Sequence, residues 1–263
     1  MATVNEIFDY FEEKVPTSMK MDFDNPGFLA GDGERAVTKV LLALDITMPV
    51  IAEAMEWGAE LILSHHPMFF ETKNVSTRNL TGKKVVALLG GGMSAICLHT
   101  NLDSVSGGVN DALMAALGAR TEGILEPSGT APDGKAYGLG RFGAVEEMPL
   151  EQFLPRCKAA LHANGLRYVS GGRSVHRIAV CGGSGGSMLL DAAGHGCDTL
   201  VTGDVKHNQF LDAAELGINL IDAGHFPTEN VVIPVLARMV QQAFPDVETR
   251  ISRIHTQPEQ FYI

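Results

Sequence analysis

The pattern of apolar and polar positions changes period repeatedly along the chain, and each change marks a short strand or helix. Val4 to Lys14 carries Ile7, Phe8 and Phe11 at helical spacing, which predicts a first helix ending before Pro16. Val37 to Leu44 reads as a buried strand and Pro49 to Trp57 as the helix after it, with Thr47 placed to cap it. Leu61 to Ser64 is a second apolar run that stops at His65-His66-Pro67, where the proline disfavours helix at the residue before it. Ser94 to Leu98 is a third, emptying into His99-Thr100-Asn101-Leu102-Asp103 ahead of a helix over Val109 to Leu117, for which Asn110 is the expected cap. Beyond it the pattern predicts strands over Tyr137 to Phe142, Val175 to Cys181 and Cys197 to Val201. Helices are predicted over Leu150 to Asn164, Asp191 to Gly196 and Val231 to Ala243. Strands alternating with helices predict an α/β fold.

Part of this pattern occurs twice. Asp45 through His66 overlays Asp204 through His225 without a gap, matching Asp45 with Asp204, Ala54 with Ala213, Gly58 with Gly217, Leu61-Ile62 with Leu220-Ile221, and His66 with His225. Each copy reads as a helix, a glycine stop, an apolar strand and a histidine, the αβ half of a βαβ unit. The matches fall at the cap, the strand and the strand tip, where the geometry requires them. We therefore expect an internal duplication and two related three-layer α/β/α lobes. Composition shifts toward Gly, Pro and Ser from about Pro127, as at a boundary between lobes. The expected division is 1–126 for the first lobe, completed by the C-terminal helix within 228–263, and 127–227 for the second.

The chemistry sits at the strand tips. In open α/β sheets ligands bind beyond the carboxyl ends of strands, and here those ends carry Ser64-His65-His66, His99 to Asp103, Thr202-Gly203-Asp204 and Asp222 to His225. Glu229 follows His225 by one helical turn, so both side chains reach one side. His65, His66, Asp103, His225 and Glu229 make a set of imidazoles and carboxylates with no thiolate, which suits Fe, Zn, Mn, Co or Ni. Five ligands exceed the three protein ligands of a catalytic zinc site and fit two divalent ions sharing a bridging group, a hydrolytic arrangement. Adjacent residues of an extended chain point to opposite sides, so His65 and His66 are expected to serve different ions. His99 is the spare imidazole, a general acid/base or a partner to the ligands. His162, His176, His195 and His255 read as isolated surface or structural residues, and His207 as a weak candidate for the cleft.

Three further segments carry a structural and a functional reading. Asp22 to Leu29 is a turn-rich surface connection whose carboxylates could alternatively approach the site. Glu71 to Lys84 is polar, a loop or frayed helix start placed as a lid. Gly182-Gly183-Ser184-Gly185-Gly186-Ser187 lacks a Lys-Ser/Thr ending and the G-x-G-x-x-G spacing, so it reads as a tight turn into a helix rather than a phosphate cradle.

Charge and length narrow the partners. A net charge of −11 over 263 residues argues against nucleic acid or an anionic membrane as main partner and leaves a small molecule such as a nucleotide. The N-terminal segment has no basic region or apolar core of a signal peptide, and no run approaches the roughly 18 apolar residues of a membrane span. Cys97, Cys157, Cys181 and Cys197 are dispersed with no C-x-x-C, the usage of reduced thiols in a cytoplasm.

Ile62-Leu63-Ser64-His65-His66-Pro67, His99-Thr100-Asn101-Leu102-Asp103, Thr202-Gly203-Asp204 and Gly224-His225-Phe226-Pro227-Thr228-Glu229 resemble, in order, the motifs of the Nif-three-like family, whose members are often labelled GTP cyclohydrolase 1 type 2 homologs. The resemblance spans nearly the whole chain. It implies two related α/β/α lobes, a dinuclear metal centre between them held by His65, His66, Asp103, His225 and Glu229, and a toroidal homohexamer. The stretch between lobes is too short for the PII-like domain that longer members insert. Phe23 stands where many members carry tryptophan, a change expected to affect packing only. The apolar last helix and Phe261-Tyr262-Ile263 also suit an oligomer. The expected activity is metal-dependent hydrolysis of a nucleotide or other phosphorylated small molecule; the competing expectation is a non-catalytic metal-binding scaffold for a regulatory partner.

Overall fold

Strand Leu61–Ser64 lies at the centre of a five-stranded sheet, parallel to Lys39–Ala43 on one side and to Ser94–Cys97 on the other. Glu248–Ile251 adds a parallel strand beside Lys39–Ala43, and Gly27–Ala30 an antiparallel edge beside Ser94–Cys97. In this computed structural model, residues 1–72, 74–131 and 134–262 are described. Alternate strand residues face opposite layers. Leu41, Ala43, Ile62 and Ala95 pack with Val50, Ile51 and Ala54 of helix Met48–Trp57 and with Val85 and Leu88 of helix Leu80–Gly90. Helix Ile233–Ala243 lies against Lys39–Ala43 and Glu248–Ile251, with Ile233, Leu236 and Val240 buried. These strands and helices belong to the first of two units, residues 1–102 with 233–256.

The second unit, residues 103–232 with 257–263, has its own six-stranded sheet. Thr199–Thr202 and Asn219–Asp222 run parallel beside Val175–Val180, which pairs antiparallel with Ala136–Met148. One face packs on helices Val109–Ala116 and Leu150–Ala160 through Leu113, Met114, Phe153 and Cys157. The other packs on Leu189–Gly194 and His207–Leu216 through Leu189, Ala192 and Ala213. Each unit is thus three layers of helix, sheet and helix, an α/β fold.

The duplicated stretch is built the same way in both units. Helix Met48–Trp57 ends at Gly58, with φ 74° and ψ 37°, and His207–Leu216 ends at Gly217, with φ 66° and ψ 36°. This left-handed conformation costs an L side chain energy that glycine avoids. The amides of Ala59 and Ile218 then close equivalent bonds to the carbonyls of Ala54 and Ala213, at 2.9 and 3.0 Å.

Several expectations are corrected. The Gly-, Pro- and Ser-rich stretch after Pro127 is no boundary: it is the end of a long antiparallel hairpin, Arg120–Thr130 with Ala136–Met148, inside the second unit. Turn residues are needed to reverse a hairpin as much as to link domains, and composition does not separate the two uses. Helix Val109–Ala116 is capped at Gly108, not by Asn110, whose side chain joins two segments, donating to the Asp103 carbonyl and accepting from the Gly182 amide. Helix Leu150–Ala160 stops short of Asn164, followed by His162 at φ 51°. The predicted lid has become partly regular: Asn79 caps helix Leu80–Gly90, and Lys73 lies outside the described residues. The apolar stripe of the last helix is spent on its own unit's core, and of the C-terminal apolar residues Phe261 and Tyr262 remain exposed, Ile263 being outside the described residues. Among the described residues no helix is long and apolar enough to cross a membrane.

Candidate metal centre

The position of the first histidines follows from burial. Leu61, Ile62 and Leu63 are fully buried, at about 1.5–3 kcal/mol each, which fixes the strand far more firmly than hydrogen bonds of about 1 kcal/mol fix the residues beyond its end. Past Ser64 the chain bends: the Ser64 hydroxyl donates to the His66 carbonyl at 2.9 Å and the His66 amide to the Leu44 carbonyl at 2.8 Å. Because His65 and His66 lie in this bend and not in the strand, they do not point to opposite sides as expected. Their ring centroids are 5.0 Å apart, and His99, past the end of the neighbouring strand, lies 5.3 and 5.4 Å from them. One ring nitrogen from each of the three lies within 4.8 Å of the others, close enough to share an ion.

Every one of these rings is held at Nδ1 by an oxygen. The Nδ1 of His65 lies 2.7 Å from the Leu98 carbonyl, that of His66 2.8 Å from Asp45 Oδ1, and that of His99 2.7 Å from Asp24 Oδ1. A neutral imidazole that donates from Nδ1 carries its lone pair on Nε2, the form a metal or a proton acceptor needs. Burial alone would raise the Asp24 carboxyl, but hydrogen bonds from His99 and Thr100 outweigh it and hold the pKa at about 2. Burial would likewise raise Asp45, and hydrogen bonds from His255 and His66 outweigh it, keeping that carboxyl well below the ordinary range.

The second unit repeats the device. His225 Nδ1 lies 2.6 Å from Asp204 Oδ2, the counterpart of the His66 and Asp45 contact. His225 opens the short helix His225–Glu229, and one turn on Glu229 Oε2 lies 3.0 Å from His225 Nε2, as the spacing predicted. Asp103 belongs to the short helix Thr100–Ser104. Burial pushes the Cys181 thiol up, and the charges of Asp103, Glu229 and Glu126 push it further. The other buried thiols, Cys157 and Cys197, are raised to about 12 and about 11, chiefly by burial. All four cysteines are free and buried.

The glycine-rich loop is explained by the same carboxylate. A Cβ on Gly183 would come 2.2 Å from Glu229 Oε1. The amides of Gly182, Gly183 and Gly185 donate to Asn110 Oδ1, Thr228 Oγ1 and Thr202 Oγ1, at 2.9, 3.0 and 2.8 Å. With those three amides committed, the loop packs as a turn against Glu229.

A family model described as Duf34/NIF3 (NGG1p interacting factor 3) matches residues 2–258. The chain belongs to the DUF34/NIF3 family. It is 37% identical over 262 residues to a GTP cyclohydrolase 1 type 2 homolog of Clostridium perfringens, covering 98% of this chain and 99% of that protein. Its fold is similar to that of a Bacillus cereus protein related to NIF3, with TM-score 0.91, 27% identity and coverage of 100% and 99%. A Staphylococcus aureus hypothetical protein matches with TM-score 0.90 at 29% identity, covering 99% of each chain.

In this NIF3 chain the structure adds residues that the sequence pattern did not single out. Asp24, in the turn read by default as a surface connection and in the alternative as bringing carboxylates to the site, follows the alternative: it holds His99 and accepts from both the amide and hydroxyl of Thr100. His255, read as isolated, lies 2.9 Å from Asp45 Oδ2. Asp45 and Asp204 were visible as duplicated positions, but their role was not. Their identical separation from the paired histidine was the available signal. His195 stacks on Phe142 at 4.2 Å and His176 meets the Val145 carbonyl at 2.9 Å, structural uses as expected. His207 is exposed at the start of helix His207–Leu216. Phe23 is 63% exposed, with its ring 6.2 Å from that of Phe70.

Proposed function

We propose that the protein is a metal-dependent hydrolase that binds two divalent ions per chain through His65, His66, Asp103, His225 and Glu229 and acts on a nucleotide or other phosphorylated small molecule. The observation that carries this reading is the common state of the four rings, each with Nδ1 against a carbonyl or carboxylate oxygen. His66, His99 and His225 have a carboxylate there, which a ring that served only to satisfy backbone groups does not need. The donor set of imidazoles and carboxylates fits Fe, Zn, Mn, Co or Ni. When bound, such ions supply Lewis acidity and lower the pKa of water.

The chain's own contribution is orientation and proton transfer. Asp45 and Asp204 fix the tautomer of His66 and His225, the Leu98 carbonyl fixes that of His65, and Glu229 and Asp103 supply negative charge. His99 is the catalytic acid/base: with Nδ1 donating to Asp24, its Nε2 takes a proton from the attacking water and returns it to the leaving group. The Asp24 carboxylate stabilises the imidazolium formed on the way. The name carried by the Clostridium perfringens relative supports a nucleotide as substrate.

The test is turnover of a nucleotide panel by metal-loaded protein beside His99→Ala. Hydrolysis that requires metal and falls at least about a hundredfold in the variant is expected. Metal binding with no turnover on any nucleotide would replace the hydrolase by a metal-binding scaffold. We also propose a cytoplasmic homohexamer, for which exposed Phe261 and Tyr262 supply apolar surface; sedimentation as a monomer at micromolar concentration would overturn it.

A further inference from the structure

Two phenylalanines of the first unit are exposed side by side, Phe23 at 63% and Phe70 at 52%. Single exposed apolar residues need no explanation, but this pair is held in place from both sides. Asp24, next to Phe23, is anchored to His99 and Thr100, and the following Asn25 donates from Nδ2 to the Phe69 carbonyl at 3.0 Å. Met68 is buried and Phe69 packs against the core of the unit, so Phe70 is turned outward by the residues that precede it. The two segments are therefore tied to each other through a backbone carbonyl while their rings remain in solvent. The ring centroids lie 6.2 Å apart with planes tilted by 50°, and more than half of each residue stays exposed.

The pair continues the histidine cluster. The Phe70 ring lies 5.9 Å from that of His99, which in turn lies 5.3 and 5.4 Å from His65 and His66. We propose that Phe23 and Phe70 form a stacking surface for the planar heterocyclic ring of a ligand whose reacting group lies at the histidines. The inference rests on the proposed function for the role of that neighbouring centre. A π face suits a flat aromatic ring in offset or edge contact, and stacking accepts any base. In the chain, exposed Asp22 precedes Phe23 and exposed Glu71 and Thr72 follow Phe70, so the two rings stand between polar neighbours in sequence.

The experiment compares calorimetric binding of GTP, ATP and tripolyphosphate to metal-loaded wild-type protein and to a Phe23→Ala/Phe70→Ala variant. Tripolyphosphate has the phosphates without the ring. GTP and ATP binding should weaken by about tenfold or more, the loss expected when a base loses its aromatic partner, with tripolyphosphate affinity and metal content unchanged. A Phe23→Trp/Phe70→Trp variant should retain nucleotide affinity. Equal affinity of wild type and the alanine variant for GTP and ATP would overturn the proposal, as would nucleotide affinity no greater than that for tripolyphosphate. Dissociation of a wild-type oligomer by the alanine substitutions would also overturn it, by assigning the rings to a contact between copies. Ring-dependent binding without turnover keeps this surface and removes the hydrolase; turnover with ring-independent binding does the reverse.

Discussion

Asp45 grips His66 and His255 at once, with Oδ1 2.8 Å from His66 Nδ1 and Oδ2 2.9 Å from His255 Nε2. A carboxylate behind a metal-type histidine sets ring orientation and basicity, and its loss typically lowers metal affinity 10- to 100-fold, by order of magnitude. Asp45→Ala is expected to weaken zinc binding by about that factor and His255→Ala by less, since His66 keeps its direct partner. Competition against a chromophoric chelator measures both, and unchanged affinity in Asp45→Ala would remove the role assigned to the pair.

Duplication makes a related prediction about stoichiometry. If His66 and His225 anchor different ions, His66→Ala and His225→Ala should each retain about one metal per chain. Asp103→Ala should lose both if its carboxylate would be shared by the two ions. Saturating metal should raise the stability of wild-type protein by about 4 kcal/mol when free ion exceeds its dissociation constant a thousandfold. Elemental analysis of protein without a histidine tag, read beside melts with and without chelator, decides it: melting unaffected by chelator would refute two-metal binding.

Asp24 should make stability depend on pH. Its carboxyl falls from 3.8 to about 2 in the fold, through bonds from His99 and Thr100 that outweigh burial. A carboxyl with a depressed folded-state pKa stabilises the fold above its unfolded value, and that contribution is lost as pH falls through the folded value. The amount is about 2 kcal/mol. Urea unfolding of wild type and Asp24→Asn should differ by about this much at pH 6, roughly neutral conditions, and the difference should shrink toward pH 2. Parallel curves over that range would contradict it.

How far the sequence led, and where it stopped, depends on the kind of information each residue carries. The strand tips and the duplication were legible because burial and capping leave local patterns, such as Leu61-Ile62-Leu63 before His65 and Gly58 matched by Gly217. The i to i+4 pair of His225 and Glu229 was legible for the same reason. Asp24 and His255 were not, because each reaches its histidine or aspartate through tertiary folding from a distant segment. The opposite-facing expectation for His65 and His66 failed because strand periodicity was extended past the last strand residue.

Gly183→Ala tests the packed turn. Gly183 has φ 63°, and a Cβ there would come 2.2 Å from Glu229 Oε1. The left-handed backbone alone costs an L residue roughly 1–2 kcal/mol, and displacing Glu229 should lower metal affinity as well. Reduced thermal stability together with weaker metal binding is expected; a variant that melts and binds metal like wild type would show that the loop yields freely.

The first unit is discontinuous along the chain: its sheet receives strand Glu248–Ile251 and its Asp45 receives His255 from residues that come after the whole of the second unit's sheet. During synthesis the chain emerges from its N-terminal end and domains generally fold as units. The His66 and Asp45 pair receives its backing histidine, His255, only from this late segment. Neither unit has all its residues until the end of the chain has been made: the first takes 233–256 and the second 257–263.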